Sequence, residues 1–269
     1  MTFDLPALSD LALTAARQAA ALIRDRRPPG RVAVTATKSS PTDAVTALDT
    51  AAERLIRDVI RAARPHDGFL GEEGGAEPGS TGVRWVLDPI DGTVNFVYGI
   101  PAYAVSVGVE IEGRCQAGVV LDVVSGVEFS AAEGSGAWHR RAVEKPAEVL
   151  VVPEPPELSQ CLVATGFGYD VEGRTRHAIA VARLLPLVRD IRRIGAASLD
   201  LCNVAAGRVD AYVEQGLQPW DLAAGGLIAR EAGAVVTGAG GGQPSERLVI
   251  ACAPALLESF QSAVRDCGF

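Results

Sequence analysis

Residues 85–96 read WVLDPIDGTVNF. Trp85, Val86 and Leu87 have the composition of a buried strand end, and they run straight into two carboxylates three residues apart, Asp88 and Asp91. Pro89 fixes φ and removes an amide donor, while Gly92 opens backbone conformations closed to other residues. A tight loop of that make-up can bring both carboxylates round to one point, with the Ile90 carbonyl between them. Two anions so placed repel unless a cation separates them, and a hard, oxygen-seeking divalent ion such as Mg2+ is the natural occupant. The plain alternative is an Asp-Gly turn with both acids in water. The loop also leads into a short helical turn predicted over 93–97, which places the amides of Gly92 and Thr93 where a phosphate binds readily.

The rest of the chain narrows the chemistry. Its 269 residues are enough for a large core, and 48% hydrophobic against 22% charged residues describe a globular chain. No apolar run approaches the roughly 20 residues that span a bilayer, and MTFDLPALSD lacks the basic start of a secretory leader. Cytoplasm is the default reading, with no membrane partner. A formal net charge of −8 argues against direct nucleic-acid binding. Five scattered cysteines without a CxxC pair read as buried free thiols, and three dispersed histidines are too few for a His-rich metal site. Chemistry should rest on carboxylates.

Hydrophobic spacing predicts a helix over 7–27, ended by the Arg-Arg-Pro-Pro-Gly turn signal. A second is expected to start after Pro41, with Thr42 or Asp43 as N-cap, and to run to about Ala63. Its stripe of Val45, Leu48, Ala52, Leu55, Ile56, Val59 and Ala63 has helical period. Asp49 falls on the inward side of that stripe, so a partnered, half-buried carboxylate is expected there. Strands are expected over 68–70, 83–87 and 102–111, then a hairpin over 119–123 and 127–130. The proline-rich stretch KPAEVLVVPEPPELSQ from Lys145 marks a junction between an N-terminal α+β half, 1–147, and a C-terminal α/β half, 148–269. In the second half strands over 162–164, 188–192, 209–213, 234–237 and 248–251 alternate with helices over 175–187, 198–206, 221–232 and 254–266. A layered α/β fold follows.

Two further acidic stretches stand out. GEEGG, residues 71–75, carries Glu72 and Glu73, and alone reads as a solvated turn. PWDLAAGGLIAREAG, residues 219–233, places Asp221 where a helix N-cap belongs, ahead of a run small enough for close packing. Trp220 reads equally well as core filler.

Taken together, GEEGG, WVLDPIDGTVNF and PWDLAAGGLIAREAG resemble the inositol monophosphatase family of Mg2+-dependent phosphatases, particularly its bacterial SuhB branch. KSSPTDAVTALD (38–49) and RRIGAASLDLCNVAAGRVDAYVE (192–214) support the likeness, which covers about 38–234. The resemblance implies a stacked α-β-α-β-α sandwich, a homodimer and two to three Mg2+ ions. By that resemblance Glu72, Asp88 and the Ile90 carbonyl hold one ion. Asp88, Asp91 and Asp221 hold a second, and a third lies near Glu72. Asp49, Thr93 and Glu72 are the implied catalytic positions, with Thr93 and Asp49 orienting and deprotonating the attacking water. Asp91, Gly92, Thr93, Ala197, Glu214 and Asp221 are the implied substrate-binding positions. The implied reaction is two-metal, in-line hydrolysis of a phosphorylated polyol without a covalent phospho-enzyme.

Some positions depart from the family's habit. EAGA at 231–234 stands for the common EAGG, GSGAWHRRA (134–142) lacks an Asn-Gly turn, and Gln218 precedes Pro-Trp-Asp. Histidinol-phosphate phosphatase, nucleotide 3′-phosphatase and fructose-1,6-bisphosphatase are the competing family readings. Asn95-Phe96 and Glu214 favour inositol phosphate over them. A non-enzymatic, SuhB-like role in a transcription complex is the reading of a different class.

Overall fold

The computed structural model describes residues 3–38 and 44–269. Its early strands are β1 (Ala36–Thr37), β2 (Ala44–Val45), β3 (Gly68–Gly71), β4 (Gly75–Glu77) and β5 (Val83–Asp91). A meander follows: β6 (Ala104–Ile111), β7 (Arg114–Asp122), β8 (Glu128–Ala132), β9 (Ala137–Arg140) and β10 (Glu148–Leu150). The later strands are β11 (Leu162–Thr165), β12 (Asp190–Arg192), β13 (Ala211–Glu214), β14 (Val235–Thr237) and β15 (Val249–Cys252). The helices are α1 (Leu5–Arg26), α2 (Ala47–Ala63), α3 (Thr93–Tyr98), α4 (Val171–Leu184), α5 (Ala197–Ala205), α6 (Pro219–Glu231) and α7 (Leu257–Cys267).

Among the described residues, eight strands form one sheet in the order β10-β9-β8-β7-β6-β5-β3-β4, antiparallel except where β3 lies parallel to β5. Five form a second sheet, β12-β11-β13-β15-β14. The chain passes from the first sheet to the second between Leu150 and Leu162.

Period-two patterning decides which layer each strand face meets. Val105, Val107 and Val109 of β6 join Val119 of β7 against Ala12, Ala16 and Ala19 of α1 and Ile56 and Ile60 of α2. On the opposite face Ala104 and Val120 meet Leu199 and Cys202 of α5 and Leu227 and Ile228 of α6. The same two helices turn Leu201, Val204 and Ala229 to Tyr212 and Val249 of the second sheet. Val163, Val213 and Ile250 on its outer face pack with Leu184 of α4 and Phe260 and Val264 of α7. The layers are therefore α-β-α-β-α. None of the described helices is long and apolar enough to cross a membrane, and all five cysteines are free thiols.

Several expectations are corrected. Helix α2 begins at Ala47, with Thr46 as its cap; Pro41, Thr42 and Asp43 lie outside the described residues. Thr46 prevails because its side chain and Asp49 satisfy each other's backbone donors in a capping box. The buried stripe of α2 is Ala52, Ile56 and Ile60, whereas Ala63 is exposed. The stretch DPID is a continuation of β5, with a register irregularity between Asp88 and Asp91 that admits Pro89 into a strand. Asp221 is the third residue of α6, and Gln218 is the cap. The short strands β4, β9 and β10, at and next to the sheet edges, carry too little periodic sequence to be read locally.

Small residues set the spacing between α6 and the first sheet. A Cβ at Gly118 would stand 2.9 Å from Ala224 Cα, and one at Gly108 2.9 Å from Ala223 Cβ. Gly118→Ala is expected to destabilise the protein by about 1–3 kcal/mol, read as a lowered midpoint in urea with an unchanged slope.

Candidate active site

The bulge at the end of β5 is where the site begins. Asp88 and Asp91 are buried, and Asp88 Oδ1 accepts from the Ile90 amide at 3.0 Å. Gly92 then takes φ +91°, and a Cβ there would come within 2.9 Å of the Ala102 carbonyl oxygen. That left-handed residue turns the chain into α3, which starts at Thr93.

Two acids are held at helix starts on the far side of the chain. Asp91 accepts from the Ala197 amide at 3.2 Å, and from the Ser198 amide at 2.7 Å and hydroxyl at 2.5 Å, at the first turn of α5. Asp221 accepts from the Gln218 amide at 2.7 Å, closing the capping box of α6. Together these contacts bring carboxylate oxygens of Asp88, Asp91 and Asp221 within 4.8 Å of one another. No lysine, arginine or histidine among the described residues pairs with any of the three.

The fourth acid arrives on the β3–β4 turn. Glu72 Oε1 is 2.7 Å from Lys38 Nζ, which also pairs with Glu73, and the two side chains are only 17% and 10% exposed. They are therefore no solvated turn acids. Glu72 Oε2 is buried without a hydrogen-bond partner. Desolvation pushes the Glu72 carboxyl up to about 7 against the opposing pull of Lys38. Burial likewise lifts Asp88 well above the ordinary range, and Glu72, Asp91 and Asp221 add to it. Asp221 is raised by burial and then by Asp91. Asp91 is raised by burial, opposed by its bonds from Ser198 and Ala197. Crowded, desolvated oxygens, one of them an orphan, are a donor set that fits a hard divalent cation.

Asp49 is fully buried and accepts from the Thr46 amide at 2.9 Å and hydroxyl. Its Oδ1 lies 3.2 Å from Thr93 Oγ1, which also stands 3.0 Å from the Ile90 carbonyl oxygen. The inward carboxylate expected on the α2 stripe thus has a hydroxyl partner 44 residues away. Burial raises its pKa, opposed by Thr46.

These groups line a cavity of about 810 Å3, whose other wall carries Ala197, Glu214, Trp220 and Arg193. Trp220 is a wall residue here and only half-buried. Glu214, at the end of β13, accepts from the Tyr212 hydroxyl at 2.6 Å. All the candidate residues singled out in the sequence, Asp49 and Glu73 excepted, touch this one cavity, and Asp49 reaches it through Thr93.

A profile of the inositol monophosphatase family matches residues 4–268. The inositol-1-monophosphatase SuhB of Mycobacterium tuberculosis is 50% identical over 275 residues, covering 96% of this chain and 93% of that protein. The Nus factor SuhB of Escherichia coli is 37% identical, covering 96% and 95%. A solved structure of Mycobacterium tuberculosis SuhB superposes with a TM-score of 0.84 at 46% identity, over 99% and 98% of the chains. An inositol monophosphatase from Anabaena gives 0.85 at 32% identity, over 98% and 97%. The chain belongs to the inositol monophosphatase family. It is, accordingly, a phosphatase, with the layered fold of its structural relatives.

Sequence reasoning gave no role to Thr46, Ser198, Lys38 or Tyr212. Thr46 was findable, since Thr-x-x-Asp has capping-box spacing. Tyr212 stands two residues from Glu214 on the same strand face, a spacing that was also readable; Ser198 and Lys38 act across the fold and leave no local signal.

Glu214 generates a pH prediction. Burial lifts its carboxyl from the ordinary 4.5 to about 7, against the opposing effects of Tyr212 and Arg193. A carboxyl raised on folding takes up a proton, so its contribution is present at low pH and lost as pH rises through about 7. Without divalent cations, Glu214→Gln is expected to gain on the wild type by on the order of 2 kcal/mol between pH 5 and 8. Urea unfolding at the two pH values measures it.

Proposed function

We propose that the protein hydrolyses inositol monophosphate and related polyol phosphates, using two to three Mg2+ ions held by Glu72, Asp88, the Ile90 carbonyl, Asp91 and Asp221. The observation that carries this reading is the convergence of Asp88, Asp91 and Asp221 oxygens within 4.8 Å, with no side-chain cation paired to them among the described residues. Crowding of that kind opposes folding unless a counter-ion is bound. Bound Mg2+ would acidify a water and offset charge on the phosphoryl and leaving oxygens.

The chain's own groups supply the remainder. Thr93 Oγ1, between Asp49 Oδ1 and the Ile90 carbonyl, holds a water by hydrogen bond and passes its proton towards Asp49. Burial makes Asp49 a stronger base than a surface carboxylate. Gly92 and Thr93 offer amides to the phosphate at the start of α3. Glu214 and Ala197 face the polyol, where a carboxylate accepts from hydroxyl groups and repels a second anionic group. The relative from Mycobacterium tuberculosis named as an inositol-1-monophosphatase supports the substrate class. A homodimer is part of the same proposal.

Phosphate release from a panel of sugar, polyol and nucleotide phosphates, with and without Mg2+, tests it. Inositol 1-phosphate is expected to outpace histidinol phosphate and adenosine 3′,5′-bisphosphate, and all turnover to need Mg2+. Asp88→Asn and Asp221→Asn are each expected to lower kcat by at least about a hundredfold. Near-normal turnover in either variant refutes the ligand assignment.

A further inference from the structure

Helix α2 presents Asp49, Glu53 and Arg57 at successive four-residue steps on one face, all three buried. Asp49 faces Thr93. Glu53, one turn on, is 2% exposed and does not line the cavity. Its carboxylate instead accepts from the Glu73 amide at 2.7 Å through Oε2, and from the Gly74 amide at 2.9 Å through Oε1. Arg57 Nε donates to the same Oε1 at 2.8 Å, and its Nη2 donates to the Gly75 carbonyl at 2.9 Å. The β3–β4 turn is thus gripped through its amides by an acid and through a carbonyl by a base. On its other side the Glu72 amide bonds to the Leu87 carbonyl, the residue before Asp88.

Two of the three glycines of GEEGG, Gly71 and Gly74, have their explanation in this grip. A Cβ at Gly71 would stand 2.1 Å from Glu53 Oε1, and one at Gly74 2.6 Å from the same atom. Only bare backbone lets the carboxylate come close enough to accept from two consecutive amides. Residue 72 is left between a fixed Gly71 and a fixed Glu73, its Oε2 buried and unpartnered.

We propose that Glu53, braced by Arg57, is the positioning residue that sets the Glu72 carboxylate at the metal site. Holding the turn from behind fixes where the Glu72 side chain starts, so ion binding need not order the turn. This rests on the reading of Glu72 as a metal ligand. Partners that orient a ligand typically change metal affinity 10–100-fold when removed.

Glu53→Gln keeps the size of the side chain and removes its charge, and Gly74→Ala disturbs the same contact from the turn. Both are expected to weaken Mg2+ binding about 10-fold or more, measured by calorimetry without substrate and as the Mg2+ concentration giving half-maximal phosphate release. At saturating Mg2+ the KM for inositol 1-phosphate is expected to stay within about twofold, and Glu53→Asp, which keeps the charge, to restore part of the affinity. Amide exchange at Glu73 and Gly74 is expected to quicken in Glu53→Gln. A folded Glu53→Gln protein with wild-type Mg2+ affinity overturns the inference. If that variant does not fold, Gly74→Ala decides, and unchanged affinity there overturns it equally. A wild-type protein that binds no Mg2+ overturns the reading of the site itself, and with it the task given to Glu53.

Discussion

Like charges resist being gathered out of water, and Glu72, Asp88, Asp91 and Asp221 are gathered out of water in this protein. Each is given a polar partner that lessens the cost without removing the charge. The Ile90 amide serves Asp88, the first turn of α5 serves Asp91, the Gln218 amide serves Asp221, and Lys38 serves one oxygen of Glu72. The supply stops short of neutrality around the three aspartates. A site left anionic by its own scaffold is suited to a divalent ion and, through it, to a phosphate that would otherwise be repelled.

The layered architecture makes that gathering affordable. Helices α3, α5 and α6 begin at the cavity, and α2 begins behind it with Asp49 bonded to Thr93, so positive helix ends lie near the carboxylates. Asp49 and Asp221 even occupy the same place, the third helical position of a capping box, in α2 and α6. Each therefore caps its own helix while facing the site. The middle layer, α5 with α6, lies between the two sheets and brings Asp221 and the Asp91-binding amides to the end of β5. Its close approach depends on Gly108 and Gly118 meeting Ala223 and Ala224.

Much of this is legible in the sequence. The DPIDGT stretch pointed to converging oxygens because Pro89 and Gly92 have strong local preferences, and those preferences are what the bulge and the left-handed turn use. Asp49 was marked out by an acid on an apolar face. The same logic applied to Glu53, one turn further on, yet an acid at that spacing looks like an ordinary surface residue until its amide partners are known. Asp221 as a helix cap was close to the truth, displaced by three residues because Gln218 and Asp221 share the capping between them. GEEGG misled most, since glycine beside acid is what solvated turns are made of.

Helical and strand periods and the turn residues are properties of neighbouring residues, so the amino-acid sequence alone determined the layered class and the turn that brings Asp88 and Asp91 together. Which amides receive Asp91, which residue grips the GEEGG turn and which cation answers Glu72 involve partners 20 to more than 100 residues apart. Those pairings exist only once sheets and helices are stacked, because a hydrogen bond is satisfied by proximity in space and periodicity along a chain carries no record of it.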